Sequence, residues 1–347
     1  MNAMNVYDFT DEIARRKPEI RLDIGQPDLP IPPRIIDATI DALREGKTRY
    51  TSSLGIMELR EKIARMHGVS AENVIITVGG KSPITAALYF SKNAAVINPA
   101  WANYEYTLKF FGKKYSLIET KFEDGWQPDL SSLNRDHDML VLNYPNNPTG
   151  VTLSEEKYKE ILDLTQDYDI TILADEVYSE IIFEKHKSFA SCPNVIYINS
   201  FSKTYSMTGY RLGYAISSPQ TIEKIKKFSQ VAYTCPVEPA QWAALTALDY
   251  EREISHEISQ LYKRRADVAL RELTGYGIPC VPPRGAIYVF PEITMDSMEF
   301  ALTLLGKGVS VFPGEAFGNY KNFIRISLVS EKLPEAVKRM ASVLGKA

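Results

Sequence analysis

"DMLVLNYPNNPTGVTLSEEKYKEILDLTQDYDITILADEVY", residues 138–178, contains a strand, a turn, a helix and a second strand in that order. The flanking runs "DMLVLNYP" and "ITILADEVY" are apolar without alternation, the pattern of strands covered on both faces. Between them Tyr158, Ile161, Leu162 and Thr165 recur at helical spacing. The spacing therefore predicts a crossover unit within a mostly parallel sheet.

The same texture extends outward. "ENVIITVGG" (72–80), "AAVINPA" (94–100) and "NVIYINSFS" (194–202) read as further buried strands, and "ANYEYTLKFFG" (102–112) as a helix. "RLGYAISS" (211–218) follows a strand with no intervening helix, so it could pair antiparallel with that strand. After residue 255 a charged helix leads into "AIYVFPEI", "VSVFPGEAFG" and "NFIRISLV", which read as a smaller α/β unit. The expected fold is α/β: a large domain over residues 39–255 with a mostly parallel mixed sheet flanked by helices, and a small domain formed by 1–38 and 256–347. The proline-rich "IGQPDLPIPPR" (24–34) cannot form a core and is expected to lie across both units.

Bulk properties exclude several function classes. The 347 residues carry a formal net charge of −3, with no basic footprint for nucleic acid and no polybasic membrane segment. Cys192, Cys235 and Cys280 are isolated, which suggests a reducing compartment and no disulfide framework. The opening "MNAMNVYDFTDEIARRKPEIR" lacks a signal peptide's apolar core, and no run is long enough to span a bilayer. A cytoplasmic protein is expected.

Four strand ends carry chemistry. "TVGGKSPITAAL" (77–88) joins a strand to a helix, with Ser82 as the expected N-cap and Pro83 at the first helical position. The amides of Gly80 and Lys81 would face outward there, as a phosphate site requires. The segment matches neither the dinucleotide-binding glycine pattern nor the phosphate-loop spacing, and alone it reads sooner as a plain strand-to-helix turn. "NYPNNPTG" (143–150) fixes Asn147 between prolines at a position where open α/β sheets bind ligands, or forms a simple turn. "ILADEVY" (172–178) ends in Asp175, costly to bury without a cationic or hydrogen-bonded partner, with Tyr178 three residues on. "SFSKTYSMTGYRLGY" (200–214) adds Ser200, Lys203 and Arg211. Phosphate donors, a carboxylate, a phenol, an amide and a desolvated lysine together suit pyridoxal phosphate.

With these residues assembled, the chain resembles a fold-type I pyridoxal-phosphate-dependent aminotransferase of class I/II, the aspartate aminotransferase-like group. "PNNPTG", "ADEVY", "SFSKTYSMTGYRLGY", "RGAIYVFP", "VFPGEAFG" and "FIRIS" fall in the family's order from about residue 20 to the end. Histidinol-phosphate aminotransferases share "PNNPTG", but the later segments look closer to the aspartate type. The resemblance implies Lys203 as the Schiff-base lysine and general base. It implies Asp175 as the partner of the ring nitrogen, with Tyr178 and Asn147 as donors to the ring oxygen. Ser200, Arg211 and the Gly80–Lys81 backbone would cup the phosphate, and Trp101 would stack on the ring. Arg325 would bind the substrate α-carboxylate, with Gly25, Trp101 and Asn147 also at the substrate. Tyr50 would reach the phosphate of a neighbouring subunit in a homodimer with shared sites. The implied substrates are an amino acid and a 2-oxo acid, with aspartate or a related donor and 2-oxoglutarate as the pair. No residue can be assigned to a distal carboxylate. A β-lyase on the same fold and a non-catalytic phosphate-ligand module are the competing readings; the latter leaves Lys203 without a task.

Overall fold

The computed structural model describes residues 6–346. Residues 1–5 begin the stretch read above as lacking a signal peptide, and residue 347 ends the expected small domain; both lie outside the described residues. After a short strand β1 (Ile20–Arg21), seven strands form the main sheet. They are β2 (Val74–Thr77), β3 (Asn93–Asn98), β4 (Lys114–Glu119), β5 (Met139–Asn143), β6 (Thr171–Asp175), β7 (Val195–Ser200) and β8 (Gly213–Ile216). Their spatial order is β2-β8-β7-β6-β5-β3-β4. β8 runs antiparallel to both its neighbours, and all other pairings are parallel. The antiparallel partner expected for "RLGYAISS" is therefore present, with Ser200 opposite Gly213.

Successive strand residues feed opposite cores, which explains the unbroken apolar runs. Ile75, Val96, Val141, Leu173 and Ile198 pack on one face of the sheet. Ile76, Ile97, Leu142, Ile172 and Tyr197 pack on the other. β4 had no such signature because it is an edge strand, with Lys114 and Glu119 exposed and only Ile118 buried.

The rest of the chain adds β9 (Tyr288–Val289), β10 (Val309–Ser310), β11 (Phe312–Pro313) and β12 (Ile324–Ser327). β10 pairs with β1, and β12 lies between β11 and β9 in an antiparallel sheet. Phe9, Ile13, Ile20, Ile258, Leu304, Ile326 and Val337 share a separate core there. The helix Glu251–Gly275 carries Ile254 in the main core and Ile258 in this second one, so it bridges the two. Residues 24–34 bridge as well: Arg265 holds Asp28 at 2.6 and 2.8 Å, and Arg34 meets Glu253 at 3.1 Å. Among the described residues no helix is long and apolar enough to cross a membrane.

Candidate active site

The parallel strands deliver their carboxyl ends to one edge of the sheet, and a cleft of about 490 Å³ opens there. Gly25, Gly80, Lys81, Trp101, Asn147, Asp175, Tyr178, Ser200, Lys203, Arg211 and Arg325 all line it. Tyr50 does not. It stands 88% exposed at a separate surface depression with Cys235 and Val237.

One wall gathers groups that can hold an anion. The helix Lys81–Phe90 starts at Lys81 with Gly80 as N-cap, so the expected cap at Ser82 is corrected. Ser82 instead lies inside the first turn and donates to the Tyr233 hydroxyl at 3.1 Å. Pro83 is tolerated at the third position because amides of the first turn have no intrahelical partner. The Gly79–Gly80 backbone rests directly on Gly213, where an added Cβ would sit 2.7 Å from Gly80 N. Arg211, at φ 53°, turns its guanidinium back to within reach of Gly79. Ser200 caps the short helix Phe201–Thr204, its hydroxyl accepting from Ser202 N at 3.1 Å and donating to Leu212 O. The Lys81 ammonium points away, to Asn103 Oδ1 at 2.8 Å.

Asp175 ends β6 and is 4% exposed. Its Oδ2 accepts from the Tyr104 hydroxyl at 2.5 Å, and the Val177 amide lies 3.4 Å from Oδ1. Burial raises its pKa from 3.8 to about 6, against the pull of Tyr104, the Val177 amide and the Lys203 charge. Lys203 is half-buried, with Nζ donating to Gly25 O and lying 5.7 Å from the Tyr178 ring centroid. Burial lowers its pKa, aided by the nearby charges of Arg325 and Arg211. A neutral amine is thus more accessible here than on the surface.

Arg325, on β12, is 6% exposed and donates to Asp23 O and to Asn147 Oδ1 at 3.1 Å. The rings of Tyr288, Phe317 and Phe312 surround its guanidinium at 4.6–5.2 Å. Its buried Nε has no hydrogen-bond partner among the described residues. A guanidinium held this way is set to receive a carboxylate. Tyr178 and Tyr288 share a hydroxyl contact at 2.7 Å, and a Cβ at Gly25 would run into the Tyr288 hydroxyl. That contact explains the glycine.

Residues 17–344 match the family model "Aminotransferase class I and II". The chain belongs to the class I and II aminotransferases. The aspartate aminotransferase of Thermococcus kodakarensis is 40% identical over 96% of this chain and 91% of its own length. The aromatic-amino-acid aminotransferase 2 of Thermococcus litoralis is 35% identical over 94% of this chain and 91% of its own. Among solved structures, the Thermus thermophilus aspartate aminotransferase with maleate superposes with a TM-score of 0.91 at 32% identity, over 98% of this chain and 95% of that one. The fold expected from the sequence is thus the fold found, and the protein is an aminotransferase.

Several residues of this aminotransferase's cleft carried no sequence signal of a role. Tyr104 sits three residues after Trp101 on the helix Asn103–Phe110 and reads as an ordinary buried aromatic. Tyr288 lay within the quoted "RGAIYVFP" without an assignment. Arg21 and Asp23 also line the cleft as an ion pair of 2.8 Å, with Ser310 donating to Asp23.

Proposed function

We propose that the cleft moves the amino group of an L-amino acid to a 2-oxo acid with pyridoxal phosphate held at Lys203, using aspartate or a related donor and 2-oxoglutarate. The supporting observation is that the desolvated Lys203 amine, the buried Asp175 carboxylate and the half-satisfied Arg325 guanidinium open into one cleft. The residues fit the cofactor: the glycine-lined helix start with Ser200 and Arg211 matches a phosphate, and Asp175 matches a cationic ring nitrogen. When bound, pyridoxal phosphate supplies an aldehyde for the amino group and a ring that accepts the electron pair left at the substrate α-carbon.

The chain's own groups do the rest. Arg325 clasps the α-carboxylate by a two-pronged contact, held in plane by Asn147 and Asp23. Lys203 Nζ takes the proton from the substrate α-carbon as general base and would pass it to the cofactor's aldehyde carbon. In the second half-reaction it would carry a proton back from that carbon to the α-carbon of the acceptor. Ionised Asp175 keeps the proton on the ring nitrogen. Tyr178 and Asn147 would donate to the ring oxygen, and Trp101 would cover one ring face. In product analysis with aspartate and 2-oxoglutarate, glutamate and oxaloacetate should form in equal amounts. Pyruvate and ammonia from a β-substituted donor, without a new amino acid, would mean elimination instead.

We assign residues 39–255 to the cofactor-holding unit and 1–38 with 256–347 to the unit that covers the substrate, and place the enzyme in the cytoplasm. We also propose a homodimer in which Tyr50 reaches the partner's phosphate site. Its support is position: an 88% exposed tyrosine stands beside exposed Val237 at a surface depression apart from its own chain's cleft. Co-refolding Lys203→Ala with Tyr50→Ala chains tests this. Each mixed dimer then has one site with both residues intact, and activity exceeds the sum of the separate variants. Activity equal to that sum places Tyr50 in its own chain's site.

A further inference from the structure

Behind the helix Phe201–Thr204 lies a second cavity of about 220 Å³. Ser202 and Lys203 face the active-site cleft, Phe201 and Thr204 face this cavity, and Ser200 borders both. Two carboxyl groups that the reaction does not use meet here in hydrogen-bonding contact. Glu180 comes from the turn after β6, and Glu251 from the first turn of the helix Glu251–Gly275. Among the described residues no lysine or arginine lines the cavity.

A hydrogen-bonded chain links this contact to the site. Ser179 Oγ donates to Glu180 Oε1 at 3.0 Å, Asn199 Nδ2 donates to Ser179 Oγ at 3.0 Å, and Ser200 N donates to Asn199 Oδ1 at 2.6 Å. On the other side Ser259 Oγ, from the helix that carries Glu251, donates to Glu180 O at 2.8 Å. The contact thus ties the long helix to the turn two residues past Tyr178 and to the backbone of Ser200.

We infer that Glu180 and Glu251 share one proton across this cavity and act as positioning residues for the Tyr178 turn and the Ser200–Lys203 segment. Two carboxylates in contact without a cation cannot both ionise without repelling each other. Among the described residues, the other titratable groups near the pair are one histidine, Glu176 and three tyrosines. His67, from the helix Met57–His67, also lines the cavity; burial lowers its pKa against the pull of Glu176 and Glu251, and its Nε2 lies 3.2 Å from the Tyr214 hydroxyl. Glu176, from the same turn, is occupied by Phe189 N and His186. Tyr197, Tyr205 and Tyr214 have phenols pushed well up by burial. Consistent with the shared proton, burial and the Glu251 contact raise the Glu180 carboxyl from 4.5 to about 7.

The sign follows from the raised folded-state value. The stability this group contributes is fully present below about pH 4.5 and is lost as pH rises through about 7. Glu180→Gln keeps a permanent donor toward Glu251 and so mimics the protonated contact. Two measurements on Glu180→Gln, with Glu251→Gln as a second variant, decide the matter. In cofactor-free protein the wild-type Tm should fall by about 3–6 °C more than that of either variant between pH 5 and 8.5. In the holoenzyme, the wild-type kcat/KM should show a step of roughly 3–10-fold centred near pH 7 that both variants lack. The activity arm rests on the proposed site, whereas the thermal arm does not, so the two can fail separately. A Tm profile unchanged in both variants overturns the shared proton. Variants that flatten the Tm profile yet keep the activity step make the pair structural only, and overturn its positioning role. A wild-type Tm at pH 8.5 that rises several degrees when potassium replaces tetramethylammonium would put a metal cation, not a proton, between the carboxyls.

Discussion

Lys203→Ala should lower kcat by ~10⁴-fold or more while the protein stays folded and still binds pyridoxal phosphate non-covalently. Removing a general base alone costs roughly 10²–10⁴, and in the proposed site the same amine also holds the cofactor's aldehyde. The fold has little to lose. Lys203 is desolvated, its pKa is lowered chiefly by burial, and its one side-chain hydrogen bond goes to Gly25 O. Deleting an amine whose charge is disfavoured removes an electrostatic cost together with that bond. Lys203→Arg should be equally inactive, because a guanidinium stays charged and cannot act as the base. A Lys203→Ala enzyme within 100-fold of wild type would mean that another group moves the α-proton.

Asp175→Asn should separate stability from activity in opposite directions. In the cofactor-free protein the Asp175 carboxyl has a pKa raised from 3.8 to about 6, so the folded state binds its proton more tightly than the unfolded state. Stability from this group is fully present below about pH 3.8 and is lost as pH rises through about 6. A shift of about two units corresponds to roughly 3 kcal/mol as a ceiling. Asparagine has no charge to bury and its side-chain oxygen can still accept from Tyr104. Cofactor-free Asp175→Asn should therefore melt above wild type at pH 8, and the difference should vanish near pH 4. Activity should fall by ~10³-fold, because the ring nitrogen loses the anion that keeps it protonated. Thermal melts at both pH values, alongside kcat, check the two halves. A variant less stable than wild type at pH 8 would show that the buried carboxylate is better compensated than its environment indicates.

The sheet was legible because both of its faces are covered. That forces residues such as Ile75 and Ile76, which point in opposite directions, to be apolar alike. The edge strand β4 escaped because it pairs with β3 alone and its two ends, Lys114 and Glu119 on opposite faces, are exposed and free to be charged. At the site, residues whose types are unusual for their place could be read directly. An aspartate closing an apolar strand, a lysine among aromatics and an asparagine between prolines all carry such a cost. Tyr104 and Tyr288 could not be read, since a buried tyrosine needs no special reason until its hydroxyl partner is known. The start of the helix Lys81–Phe90 was misplaced for a related reason. Ser82 has the composition of a cap, but the close packing of Gly79 and Gly80 against Gly213 fixes where the helix begins. The Glu180–Glu251 contact joins residues 71 positions apart and has no local pattern.

The central claim is that Lys203 is the residue that holds the cofactor. Incubation with pyridoxal phosphate, reduction with borohydride and peptide mapping by mass spectrometry test it most directly. The expected result is one pyridoxyl group per chain, on the peptide containing "SFSKTYSMTGYR" and assigned to Lys203. A label on Lys81 or any other lysine, or no label after saturation with cofactor, would contradict the account.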